Sequence, residues 1–154
     1  MRVISPVLRS FVLGVVSGGR SLTGLTAVAL TTAPGDAVAP WTGLTSRKAR
    51  SLLVAGAIGE LIADKLPRVP SRLSPPSLAG RTAAAATAAG LAAVRGGAQP
   101  ARALLPAVAG AVAGSLVGAR WRTWADQRSW PPVAAALLED TVVVGLAFVA
   151  ARRD

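Results

Sequence analysis

The 154-residue sequence contains no cysteine and no histidine. Their absence excludes disulfides, thiolate metal sites, iron–sulfur clusters and His-ligated haem, together with catalysis by either side chain. A nucleophile–base pair cannot be assembled without cysteine or histidine, so we predict that the protein is not an enzyme and carries no cofactor.

Aromatic residues are also scarce, at 4% of the chain, although 52% of the residues are hydrophobic. A water-soluble domain this apolar would need a large core that contains aromatic side chains. Alanine and glycine dominate here instead, and small residues let helices approach each other closely inside lipid. The composition therefore favours an all-α bundle of membrane helices.

Acidic residues are few: seven stand against seventeen lysines and arginines, which gives a formal net charge of +10. This excess fits a basic nucleic-acid-binding face or arginines placed at the ends of membrane spans. The charges lie mainly between five weakly charged stretches: 11–32, 51–66, 78–94, 103–119 and 133–151. We therefore predict a single transmembrane domain over residues 1–154, with about five spans, a lipid bilayer as its partner and no nucleic acid.

The connector after the fourth stretch places Trp121, Trp124 and Trp130 among arginines, as in an interfacial belt at the end of a span. With five spans, nine basic residues lie on the side of the N-terminus and seven on the other side. The positive-inside rule then weakly predicts a cytoplasmic N-terminus.

Residues 53–60 and 132–139 share a pattern of small and apolar residues, which ends at Glu60 and Glu139 respectively. The preceding stretches share pairs of glycines. Spans 1–2 thus resemble spans 4–5, and the single span between them predicts an inverted repeat, a common plan among transporters. The alternative is chance similarity among alanine, valine and glycine.

Glycines at four-residue spacing occur in the first and fourth stretches. Such spacing places them on one helix face, as in a glycine zipper, and permits close contact between helices. The contact could form within one chain or between the copies of a homo-oligomer, which we expect for so small a membrane protein. The residues concerned are Gly14, Gly18, Gly110, Gly114 and Gly118.

Besides Lys65 and Arg81 near the ends of their stretches, five charged residues interrupt the apolar stretches: Arg20, Glu60, Asp64, Glu139 and Asp140. A lone charge in mid-membrane costs about 2.5–3.5 kcal/mol on insertion scales, so these groups must pair, protonate or meet water. One hypothesis is a transporter or channel for a cation or a proton-coupled small solute, with the carboxylates as its polar pathway. The alternative is a non-transporting scaffold or accessory subunit, whose buried Arg–carboxylate network is structural.

The segment at residues 60–67 reads Glu-Leu-Ile-Ala-Asp-Lys-Leu-Pro. Together with the Gly-Gly-Arg at 18–20, the Leu-Ala-Gly at 78–80 and the pair Glu139-Asp140, it resembles the bacterial membrane family catalogued as domain of unknown function 4126. The resemblance implies a multi-pass protein of the bacterial plasma (inner) membrane. The sequence lacks the His and Asn that the family carries before its last span.

Overall fold

A computed structural model describes residues 5–64 and 73–152, and every regular element within them is helical. The predicted all-α class is therefore confirmed. Two short 3-10 helices, Pro34–Asp36 and Trp41–Thr45, lie between the second and third α-helices. The α-helices are α1 (Pro6–Gly19), α2 (Ser21–Thr31), α3 (Arg47–Ala63), α4 (Pro75–Arg95), α5 (Ala101–Gln127) and α6 (Pro132–Ala151).

The helix starts follow from local sequence. Three of the α-helices begin with a proline, whose fixed φ suits the first helical turn and whose missing N–H would have no partner there. Ser46 precedes α3 and accepts a hydrogen bond from the Ala49 N–H at 3.2 Å. The three prolines are Pro6, Pro75 and Pro132.

Arg20 separates α1 from α2 and has an extended backbone, with φ −140° and ψ 109°. A Cβ added to Gly24 of α2 would lie 3.4 Å from the carbonyl oxygen of Leu13 in α1. In one continuous helix these residues would be about 16 Å apart, so α2 folds back along α1. The structure thus replaces the predicted continuous span over 11–32 with a hairpin of two antiparallel helices.

Helix α4 runs antiparallel to α1 and parallel to α2. Arg81, near its start, contacts the carbonyls of Gly18 and Gly19 at the tip of the hairpin. Arg95, its last residue, contacts Thr31 at the end of α2. The hairpin therefore enters and leaves the bundle at one end, and its tip lies well inside.

We name the two ends of the bundle by the residues that they hold. The proximal end holds Pro6, Arg95 and Ala151, so the first and last helices begin and finish there. The distal end holds Gln127 and Pro132, which flank the connection between α5 and α6.

Helices α1 and α5 pack against each other through their glycines and run parallel. A Cβ on Gly14 would lie 2.9 Å from the Cα of Gly110, and a Cβ on Gly18 would lie 2.9 Å from the Cα of Gly114. Either methyl group would press on backbone that cannot move aside. These predicted packing residues therefore meet one another within the chain, and Gly118 is buried further along α5.

The glycine-bearing helices of the predicted inverted repeat, α1 and α5, do not run in opposite directions. Such a repeat would require α1 to oppose α5 in direction, just as α3 opposes α6. Helices α3 and α6 are indeed antiparallel, because Glu60 near the end of α3 contacts the start of α2, whereas Ala151 at the end of α6 contacts the end of α2. Since α1 and α5 are parallel, no single rotation relates α1 and α3 to α5 and α6. Helix α2, the other half of the predicted first span, is antiparallel to α1 and so opposes α5, and the inverted repeat stays a prediction.

Within the described residues, α5 and α6 are the helices long and apolar enough to cross a membrane. They contain 27 and 20 residues, hence about 40 Å and 30 Å at 1.5 Å per residue. The shorter length matches the hydrocarbon core of a bilayer, about 30 Å. Length and composition thus identify two candidate transmembrane helices, and the count of five stays a prediction.

Candidate functional site

The tip of the α1–α2 hairpin gathers all five charged residues singled out in the sequence. Arg20 is at its centre, with a side chain only 1% exposed. Its Nε donates to Asp140 Oδ1 of α6 at 2.8 Å, and its Nη2 contacts the same oxygen. Its Nη1 lies 2.7 Å from Oδ2 of Asp64, the residue that directly follows α3. One guanidinium therefore joins the hairpin to two other helices.

Glu60 of α3 binds the start of α2. Its Oε1 accepts the Ser21 N–H at 2.7 Å, and its Oε2 accepts the Leu22 N–H at 3.0 Å. The first N–H groups of a helix have no partner within the helix and carry a partial positive charge. Glu60 thus caps α2 from another helix, and this contact explains why a carboxylate stands within the apolar sequence of α3.

Arg81 of α4 binds the end of α1 in the complementary way. Its Nη1 donates to the carbonyl oxygens of Gly18 at 2.5 Å and Gly19 at 3.0 Å, and its Nε donates to Ser77 Oγ at 3.2 Å. Those carbonyls form the partially negative end of α1. The two helix ends that meet at the tip are therefore matched by side chains of opposite sign.

Arg122 of α5 extends the network toward the surface. Its Nη2 contacts Asp64 Oδ2, and its Nε donates to Glu139 Oε2 at 3.3 Å. The Arg122 side chain is 36% exposed, whereas those of Asp64 and Glu139 are 8% exposed. Asp64 thus lies between two arginines, and Arg122 covers the carboxylates from outside.

We call these seven residues the tip cluster: Arg20, Glu60, Asp64, Arg81, Arg122, Glu139 and Asp140. Among the described residues, its four carboxylates face three guanidinium groups and the N–H groups at the start of α2. The similar segments at 53–60 and 132–139 end at glutamates with different partners, because Glu60 binds backbone N–H groups and Glu139 binds Arg122.

Arg81 and Arg122 are members of the cluster that the sequence reasoning missed, since it placed Arg81 at the start of the third span and Arg122 beyond the end of the fourth. Helix α5 continues to Gln127, eight residues past the predicted end of the fourth span. Arg122 follows Gly118 by four residues, so it lies on the same face as the packed glycines. That spacing was the available signal.

The three tryptophans predicted for an interfacial belt lie together at the distal end. The rings of Trp121 and Trp124 stack with centroids 5.3 Å apart, and Trp130 meets both edge-on. Arg128 lies 4.2 Å above the Trp124 ring, and Trp121 Nε1 donates to the Ala135 carbonyl of α6 at 3.1 Å. The cluster therefore fastens the turn between α5 and α6.

At the proximal end, Arg95 ties three helices together. Its Nη1 donates to Thr31 Oγ1 at 2.8 Å and to Thr32 Oγ1 at 3.2 Å, and its Nη2 donates to the Ala151 carbonyl at 2.5 Å. Arg50 of α3 also donates to the Thr32 carbonyl. Arginines thus match the partially negative ends of α2 and α6, as Arg81 does for α1.

The tip cluster consists of charge pairs and helix caps. Its carboxylates are also the kind of side chain that could bind a metal ion. Within residues 5–64 and 73–152, no group of three or more Asp, Glu, His or Cys side chains is arranged to hold a metal ion. The carboxylate oxygens described above instead accept from arginines and from helix N–H groups.

No protein-family model, no curated protein and no solved structure matches this chain.

Proposed function

We propose that the chain is a small multi-pass membrane protein in which α3, α4, α5 and α6 cross the bilayer and the α1–α2 hairpin re-enters it. Asp140 precedes Ala151 by eleven residues, which is about 16 Å along α6 and close to the middle of a 30 Å core. Its partner Arg20 then lies at mid-membrane. Irregular backbone at that depth is tolerated only where protein surrounds it, as it surrounds this tip.

The outer faces of α5 and α6 support this location. They expose large apolar side chains, among them Leu105 at 82% and Val117 at 63%. A soluble protein seldom exposes so many apolar residues along two whole helices, whereas lipid solvates them. We retain the bacterial plasma membrane and a homo-oligomer as parts of the proposal.

For the role itself, we propose a scaffold or accessory subunit in which the tip cluster is structural. The observation that carries this proposal is that each of its four carboxylates accepts a hydrogen bond or an ion pair from a named donor. Partnered, buried charges of this kind fix how helices pack and which register they adopt. The cavity of about 770 Å³ lies away from the cluster, at the proximal end.

Transport of a cation or a proton-coupled solute is the second candidate. The specific observation in its favour is a helix broken near the midplane, beside the four carboxylates of the tip cluster. Discontinuous helices with charged residues at that depth form the binding sites of many transporters.

Flux measurements in proteoliposomes separate the two candidates. The scaffold proposal expects no flux of protons, Na⁺ or K⁺ through the wild-type protein, and a Glu60→Gln variant that stays folded. Wild-type flux that Glu60→Gln abolishes would establish transport and overturn the scaffold role. Asp126→Asn is the matched control, because Asp126 is an exposed acid of α5 outside the cluster.

Reporter fusions test the membrane arrangement independently of flux. A re-entrant hairpin followed by four crossings places both termini on the same side of the membrane, whereas five crossings place them on opposite sides. Fusions of a periplasm-dependent and a cytoplasm-dependent reporter to each terminus should therefore agree in location. Opposite locations would refute the re-entrant hairpin.

A further inference from the structure

A cavity of about 770 Å³ opens at the proximal end between the start of α1, the end of α4 and the start of α5. Three arginines line it, one from each helix: Arg9, Arg95 and Arg102. No aspartate or glutamate is among its described lining residues. The volume falls within the range of small-molecule sites, about 300–1,000 Å³.

The cavity is positively polarised by more than these side chains. Helix α5 begins at its rim, and no side chain caps its first N–H groups. Its first turn contains no acidic residue. The Arg102 and Ala103 N–H groups donate to the carbonyls of Gln99 and Pro100 at 3.2 and 2.9 Å, so the start of α5 adds its partial positive charge to that of the arginines. Arg95 is held in place by its bonds to Thr31 and Ala151, so its charge is fixed at the wall.

Exposed apolar side chains adjoin the same opening. Val7 and Leu8 follow the first residue of α1, and Leu104 and Leu105 follow Arg102 on α5; their exposed fractions range from 41% to 82%. These apolar side chains offer no favourable contact to a free phosphate ion, whereas the acyl chains of a lipid pack against them. The surroundings therefore combine an anion-attracting cavity with an apolar flank.

We propose that this cavity binds the phosphate headgroup of an anionic phospholipid, with the acyl chains lying along the exposed residues of α1 and α5. Basic pockets between transmembrane helices near the membrane surface bind such headgroups. The inference rests on the proposed membrane location, which membrane fractionation of every variant reports separately.

Native mass spectrometry of the detergent-purified full chain, titrated with phosphatidylglycerol or phosphatidylcholine, tests the site. Wild type should retain phosphatidylglycerol in preference to phosphatidylcholine. The double variant Arg9→Gln/Arg102→Gln should bind phosphatidylglycerol about 30-fold more weakly, from the contribution of one basic residue near a membrane surface, counted twice. The control Arg47→Gln/Lys48→Gln removes the same charge at the same end, outside the cavity, and should bind like wild type.

Three results would overturn the proposal: equal binding of the two lipids, equal binding by wild type and the cavity variant, or an equal loss in the control. Displacement of the lipid by excess inorganic phosphate would assign the site to a free anion instead. A chain that fails to enter membranes would refute the membrane location itself. Circular dichroism and elution volume identify a variant that has not folded. In that case the single variant Arg102→Lys, which keeps the charge, should bind phosphatidylglycerol like wild type.

Discussion

The central ion pair can be tested by removing Arg20 alone and then together with its partner. Arg20→Gln withdraws a cation from both Asp140 and Asp64, deep in the protein. Breaking a buried pair by removing one partner costs about 3–5 kcal/mol, because the other charge stays in a low-dielectric site. That loss is a large part of a typical unfolding free energy of about 5–15 kcal/mol.

Adding Asp140→Asn removes the stranded charge, while Asp64 keeps its contact with Arg122. The double variant Arg20→Gln/Asp140→Asn should therefore be more stable than Arg20→Gln alone, although it lacks more charges. We expect a coupling free energy of about 1–3 kcal/mol between the two positions.

The assay is a double-mutant cycle of unfolding in mixed micelles with increasing SDS, followed by far-UV circular dichroism and tryptophan fluorescence. Arg120→Gln serves as the control, since this exposed arginine of α5 should change stability by no more than about 0.5 kcal/mol. The reasoning fails if Arg20→Gln costs under about 1 kcal/mol, or if the double variant is simply additive.

Three further predictions concern the packing and the caps. Gly114→Ala should cost about 1–3 kcal/mol in the same unfolding assay because its Cβ would meet the backbone of α1, whereas Gly59→Ala, with open space around it, should be neutral or stabilising; equal effects would contradict the close contact. Glu60→Gln keeps one acceptor for the two N–H groups at the start of α2, sets an NH2 donor against the other and loses the charge, so stability should fall by about 1–3 kcal/mol and the first amides of α2 should exchange faster with solvent. Arg95→Gln should speed amide exchange in the last turns of α2 and α6 and leave the hairpin tip unchanged; uniform exchange rates would refute its role as a cap.

The sequence was sufficient to select five of the seven charged residues that meet at the hairpin tip. Charges inside apolar stretches are costly to bury, so Arg20 and four carboxylates had to find partners, and the structure brings all five together. The sequence reasoning also selected the packed glycines, because four-residue spacing defines a helix face without further information.

The break at Arg20 was harder to foresee, although the local signals were present. Gly18 and Gly19 are typical of a helix end and Ser21 of a helix start, yet apolar residues on both sides continue the pattern of a single span. The decisive stabilisation comes from Glu60 and Arg81, which bind the two broken ends from elsewhere in the chain. Long-range partners of this kind leave no trace in local hydropathy.

The separation of Arg20 and Asp140 along the chain determines when their bond can form during synthesis. The two residues are 120 positions apart, so the hairpin leaves the ribosome long before its partner exists. At about 5–20 residues per second, Arg20 waits about 6–24 s for Asp140 to be synthesised. During that interval a charge destined for the buried hairpin tip has not met its α6 carboxylate. The first helices to be made should therefore be among the last to reach their final packing, and α6 completes the fold of the α1–α2 hairpin.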